Sequence, residues 1–238
     1  MKTPWAQPPK TVALTGAALS REAGFAPFAA DRMPAGLRLE DVVTQESFAR
    51  DPVRVQDFYN LRRRELLAAT PNAAHEGLAV FDMVRPCELL IVTGNIDDLH
   101  ERAGSQAVIH LQGELLKARC TICGKVSERY DDITEASDCP ICGNAGHLRP
   151  HIVWVGEEPL RIASVYQALA HASLFLAIGA AIGNEPAQSF LAEARRAGAR
   201  TVELNRDLAP YAEPFDERIT GPLAETVPAY VKKLIAEG

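Results

Sequence analysis

The sequence predicts an α/β protein with a mostly parallel sheet and a smaller inserted domain that is helical and metal-binding. Three observations predict it: short β-rich runs alternate with helical stretches, several of those runs end in glycine or asparagine, and two CxxC pairs interrupt the alternation at mid-chain. Thr11 to Thr15 leads into the small-residue turn Gly16-Ala17-Ala18, Leu89 to Thr93 into Gly94-Asn95, and Val108 to Leu111 ends near Gly113. Ile152 to Val155 ends at Gly156, Leu174 to Ile178 at Gly179, and Thr201 to Leu204 at Asn205. In an open α/β sheet the carboxyl ends of the strands line the ligand crevice, and glycine there would let a phosphate or ribose approach the backbone. Helices are expected over Asp51 to Ala69, Pro186 to Ala197 and Ala224 to Glu237.

The chain has 238 residues, 47% hydrophobic and 24% charged, which excludes disorder and allows one large or two moderate domains to bury a core unaided. A net charge of −6 gives no global attraction to nucleic acid or to anionic membranes. Arg62-Arg63-Arg64 is too short a basic run to argue for nucleic acid. The start, Met1 to Trp5, lacks the apolar stretch of a secretory signal, and the apolar run Leu174 to Gly183 is too short to span a bilayer, so a cytoplasmic location is expected.

Cys120 and Cys123 form one CxxC pair and Cys139 and Cys142 the other, with fifteen residues between the pairs. Two such knuckles can meet as a tetrahedral sulfur cage around one Zn²⁺, and Gly124 and Gly143 suit their tight turns. With all four positions taken by cysteine no place remains for water, so the metal is expected to be structural. The alternative is disulfides or packed thiols. Cys87 stands apart and reads as a packed thiol. The zinc segment, 117–150, and a helical segment, 29–74, are expected to form the small domain, with 1–28, 75–116 and 151–238 forming the large one.

Thr15-Gly16-Ala17-Ala18-Leu19-Ser20, Asn95 to Gly104 (NIDDLHERAG), the four cysteines, Leu148-Arg149-Pro150 with Val153-Trp154-Val155-Gly156-Glu157, and Glu203-Leu204-Asn205 follow one another as they do in sirtuins. From about residue 11 to 232 the chain resembles that family, and most of all the bacterial NAD-dependent protein lysine deacylases. The resemblance implies a Rossmann-like large domain, a zinc-bearing small domain, and NAD⁺ meeting an acylated protein lysine in the cleft between them. It implies cofactor contacts from Gly16, Ala17, Asn95, Ile96, Asp97, Gly179 and Asn205, with Asn95 and Asp97 at the ribose and the nicotinamide carboxamide. Val153, Trp154 and Val155 would line the acyl-lysine channel. Asn and Asp in such turns also commonly brace the backbone, and Asn205 could equally cap a helix.

In the family a histidine acts as general base on a ribose hydroxyl, and the matching position here is Gln112, within Ile109-His110-Leu111-Gln112-Gly113-Glu114. An amide cannot accept that proton, although it can hold a hydroxyl by hydrogen bonds. His110 shares a face with position 112 on an extended strand, but two residues displace the ring by about 6–7 Å, too far to take over the role. Further departures from the family pattern are Ala18, Ala23, Ala29, Gly94, Ala180, Ala181 and Val155. They concentrate where the crevice is expected, pointing to a pocket altered for another ligand or for loss of catalysis.

Tyr59 and Arg62 lie three apart, share a helix face, and could hold a carboxylate by a phenol bond and a guanidinium fork. They match residues by which one branch of the family accepts succinyl- or malonyl-lysine. The alternative is a solvated basic helix face. Three functions are therefore weighed: a slow NAD⁺-dependent deacylase, another NAD⁺ reaction such as ADP-ribosyl transfer or glycohydrolysis, and a silent binding or scaffold protein.

Overall fold

The computed structural model describes residues 7–29, 31, 33–207 and 215–237; the start of the chain, on which the signal argument drew, lies outside these. In chain order the strands are β1 (Thr11–Thr15), β2 (Leu89–Thr93), β3 (Val108–His110), β4 (Gly113–Cys120), β5 (Val126–Glu128), β6 (Leu148–Ile152), β7 (Leu174–Ile178), β8 (Arg200–Asn205) and β9 (Glu217–Thr220). The helices are α1 (Ala17–Glu22), α2 (Gln45–Arg50), α3 (Pro52–Ala68), α4 (Ala73–Val84), α5 (Leu99–Ala103), α6 (Ile162–Leu169), α7 (Ala187–Arg196) and α8 (Leu223–Glu237).

Six strands form a parallel sheet in the order β3-β2-β1-β7-β8-β9. Every residue of β1, β2 and β7 is buried, as continuous apolar runs covered on both faces should be. Along β1, Val12 and Leu14 face one core with Val165, Phe190 and Leu191 of α6 and α7. Ala13 faces the other, with Leu78 and Phe81 of α4 and Val227 and Val231 of α8. The chain leaves β1 toward β2 and β3 on one side, and β7 lies on the other, so the strand order reverses between β1 and β7. A crevice opens at the carboxyl ends of strands at such a reversal.

Helix starts follow local chemistry. The Asp51 carboxylate accepts from Arg54 N at 3.0 Å with Pro52 in the first turn of α3, and Asn72 Oδ1 accepts from Ala74 N and His75 N at the start of α4. The first amides of α8 are met from afar: Glu22, ending α1, accepts from Leu223 N and Ala224 N at 3.0 Å each. That carboxylate ties the end of α1 to the start of α8.

Two expectations need correction. The fourth predicted strand, Ile152 to Val155, belongs neither to the large sheet nor to those residues: the strand is Leu148–Ile152, antiparallel to β4 in a second sheet ordered β5-β4-β6. Its burial alternates strictly, marking a half-buried strand. Cys87 is exposed at φ +66, not packed. The sequence reading also passed over β9, whose charged residues form an edge strand held partly by Arg218 Nε donating to the fully buried Glu203 carboxylate at 2.7 Å. No helix among the described residues is long and apolar enough to cross a membrane.

Candidate functional site

The four cysteines converge where β4 ends. Gly124 N donates to Cys120 O at 3.0 Å and Gly143 N to Cys139 O at 2.8 Å, both glycines at positive φ, so each knuckle turns its thiols inward. All four Sγ atoms lie within 4.8 Å of one another, and the Cys120–Cys142 and Cys123–Cys139 pairs are 3.8 Å apart. A tetrahedron with Zn–S bonds of about 2.3 Å has edges of about 3.8 Å, so the donor set fits zinc, while a disulfide would need about 2.05 Å. This is a structural zinc site: four thiolates complete the coordination and none faces a cleft.

Two cavities meet at Gly94. The first, about 190 Å³, is lined by α1 residues Ala17, Ser20 and Arg21, by Phe25 to Ala29, and by Gly94 to Asp97. At its floor Ser20 Oγ donates to the Asp97 carboxylate at 2.7 Å and accepts from Asn95 Nδ2 at 2.8 Å. The same amide donates to Gly16 O at 3.1 Å, so Asn95 does brace two loops, as a turn asparagine would. Asp97 is 2% exposed, and burial raises its pKa although Ser20 and the amide of Leu99 oppose the shift. Phe25, Phe28 and Ile96 give this cavity apolar walls beside the buried Asp97 carboxylate.

The second cavity, about 150 Å³, lies at the sheet's reversal, walled by Thr15 and Gly16 after β1, Gly94 after β2, Leu111 and Gln112 after β3, and Ala180, Ala181, Asn184 and Glu185 after β7. The Gln112 side chain makes no hydrogen bond among the described residues; the backbone carbonyl of Gln112 accepts from Val153 N at 2.9 Å, joining the residue to the Trp154 loop. His110 is turned elsewhere: Nε2 meets Glu101 Oε1 at 2.8 Å and Nδ1 meets Asn95 O at 3.2 Å. Both ring nitrogens are thus engaged by groups that do not line the second cavity. Burial works against a charge on the ring, yet the Glu101 hydrogen bond and charge prevail and raise the pKa. His110 is thus committed to Glu101 and Asn95 O and not to the wall of the second cavity.

The glycines after β1 and β7 are closely packed by neighbouring residues. A Cβ on Gly16 would lie 2.5 Å from Ala180 Cα, and one on Gly179, at φ +59, would lie 2.9 Å from Leu19 N. They let α1 pack against the end of β7, and Gly16 also lines the second cavity; a Cβ on Gly94, which lines both cavities, would meet Thr15 O at 3.9 Å. Ala17 and Ile96 line the first cavity. Asn205 lines neither cavity but donates to Ala180 O, on the wall of the second, at 3.3 Å and accepts from Arg206 N, so it steadies the loop after β7 and caps no helix among the described residues.

Tyr59 and Arg62 are buried, at 0% and 2% exposure, and Arg63 is buried too, so a solvated basic face is excluded. Trp154 Nε1 donates to the Tyr59 hydroxyl at 3.0 Å, and Arg62 pairs with Glu65 at 2.9 Å. Burial raises the phenol's pKa well above its ordinary value. Trp154 is clamped by Arg149, whose guanidinium stacks 3.7 Å from the ring centre and binds both Glu157 oxygens. Val155 is exposed, with its amide donating to Val43 O at 2.8 Å, and Val153 is half-buried beside Gln112. Sequence reasoning missed Arg21, Phe25, Asn184 and Glu185 as lining residues. Arg21 and Glu185 lie beside motif residues but are ordinary surface types, so only the fold reveals them.

Comparison with known proteins accords with this geometry. The Sir2 family model matches residues 16–186. An NAD-dependent protein deacylase of Escherichia coli strain K12 is 46% identical over 95% of this chain and 82% of its own length. One from Yersinia pseudotuberculosis is 45% identical over 95% and 83%. Among solved structures, a Sir2 homolog–NAD complex superposes with a TM-score of 0.84 at 32% identity, covering 94% of this chain and 90% of the other. A Sir2 bound to acetylated peptide superposes with a TM-score of 0.75 at 26% identity, covering 96% and 92%. The chain belongs to the Sir2 family, the sirtuins, which use NAD.

Proposed function

We propose that this chain is a sirtuin that binds NAD and an acyl-lysine protein in its cleft, and that Gln112 suppresses the deacylation its relatives are named for. The observation that carries this reading is the pair of residues at the end of β3: Gln112 lines the cavity at the sheet's reversal, whereas both ring nitrogens of His110 are engaged by Glu101 and Asn95 O. When bound, NAD supplies the ribose carbon that takes the acyl oxygen as nicotinamide leaves. Asp97, Asn95 and Ser20 would hold the carboxamide end, and Phe25, Phe28 and Ile96 would exclude water from it. Gln112 can orient a ribose hydroxyl but cannot take its proton, which costs on the order of 10²–10⁴ in rate.

The acyl lysine would enter past Val153, Trp154 and Val155. Tyr59 and Arg62 favour an acidic acyl group, succinyl or malonyl, because a phenol and a guanidinium on one helix face suit a carboxylate. The large sheet with its helices would act as one lobe, and the helical segment with the zinc-bearing sheet as the other, in the cytoplasm. Incubation with NAD and a succinyl-lysine peptide, followed by mass spectrometry, tests the reading: NAD binds, and release of nicotinamide and O-acyl-ADP-ribose is at or near background. Turnover comparable to that of an active deacylase overturns the claim of suppression.

A further inference from the structure

We propose that Glu65 is a built-in competitor for Arg62 and sets how strongly this cleft favours acidic over neutral acyl groups. The inference rests on the reading of Tyr59 and Arg62 as a carboxylate site. On α3, Tyr59, Arg62 and Glu65 are spaced three apart and form one ridge that runs from core to surface. Tyr59 is wholly buried, the Arg62 side chain is 2% exposed and the Glu65 side chain 36% exposed. The Arg62 guanidinium lies 5.2 Å from the centre of the Phe58 ring, and its Nη1 donates to Glu65 Oε2 at 2.9 Å. Phe58 in turn stacks on Phe28, a wall of the first cavity, and meets Tyr59 edge-on.

A buried guanidinium is costly without a nearby anion, and Glu65 supplies one in the resting protein. An acyl carboxylate arriving at Arg62 therefore meets a site that is already neutralised: it must share the fork with Glu65 or displace it. A neutral acyl group makes no such demand. Glu65 thus lowers affinity for succinyl- and malonyl-lysine selectively, while the Tyr59 hydroxyl, which accepts from Trp154, still has its own proton to donate.

The test is direct binding, which needs no turnover. Fluorescence polarisation is measured with one labelled peptide sequence carrying succinyl-lysine or acetyl-lysine, in the presence of NAD, on the full zinc-loaded chain. Glu65→Gln, and Glu65→Ala as a second variant, are expected to tighten succinyl-peptide binding by roughly three- to tenfold and to change acetyl-peptide binding less than twofold. Adding Arg62→Leu should abolish the gain. If both peptides gain equally, or neither does while Arg62→Leu removes the succinyl preference, the role of Glu65 is overturned and the carboxylate site stands. If Arg62→Leu leaves succinyl binding untouched, or no form binds either peptide, the carboxylate site fails and this inference with it.

Discussion

Acid should weaken this fold through His75 before it reaches the carboxylates. His75 is wholly buried at the start of α4, its ring 4.9 Å from that of His100, and its Nε2 has no partner among the described residues. Burial lowers its pKa to about 4, outweighing the attraction of Glu101. An unfolded-state value of about 6.5 means the unfolded chain binds the proton first, so stability is complete above pH 6.5 and is lost as pH falls toward 4. Linkage gives a loss of about 2 kcal/mol between pH 7.5 and pH 5 from this one group. His100, also pushed down by burial, adds in the same direction, while His110, whose pKa is raised, stabilises below pH 6.5 and opposes it. The perturbation that isolates His75 is His75→Gln, since glutamine keeps a partner for Asn72 in the capping box but cannot titrate. Urea unfolding at pH 7.5 and pH 5, with zinc in excess, should show the wild-type chain losing about 2 kcal/mol more than the variant. Equal losses in the two proteins would refute the reasoning.

Chelation of zinc should release the β5-β4-β6 sheet, because Cys120, Cys139, Leu148, Ala118 and Ile133 form a core too small to stand without the metal; hydrogen exchange should then rise over 117–150 and stay low in β1, β2 and β7. Glu157→Gln should cost about 1–3 kcal/mol, since it leaves the Arg149 guanidinium short of its bidentate partner and loosens the clamp on Trp154, and quenching of tryptophan fluorescence by acrylamide should increase. Holding Glu157 near a pKa of about 2, chiefly through Arg149 and the amide of Trp154 against the cost of burial, also means that this contribution is present above about pH 4.5 and fades below it. Gly16→Ala should destabilise by about 1–3 kcal/mol in thermal melts even without ligand, because the new methyl meets the backbone at Ala180.

Much of the fold was legible because its determinants are local. β1, β2 and β7 are short β-rich runs, apolar apart from terminal threonines in β1 and β2, and each leads into a turn residue. The zinc cage was legible from spacing, since two knuckles have one compact way to share a tetrahedral ion. What escaped depends on partners distant in sequence. β9 is a charged edge whose Arg218 finds Glu203 only once β8 lies beside it. Leu148–Ile152 joins β4 rather than the large sheet because the chain between them is pinned at the zinc. At Gly16 and Gly179 the lack of a side chain also admits neighbouring backbone, a demand that the turn pattern alone did not reveal. At Gln112 the chemistry of the residue was plain in the sequence, whereas its position on the cavity wall, and the commitment of His110 to Glu101, required coordinates.

The measurement that bears most directly on the account is the rate of nicotinamide release from NAD and a succinyl-lysine peptide by the wild-type chain and by Gln112→His, alongside NAD affinity for both. Similar affinities, with a rate that rises on the order of a hundredfold or more in the variant, are predicted. Equal rates in two proteins that both bind NAD would show that position 112 does not hold the reaction back.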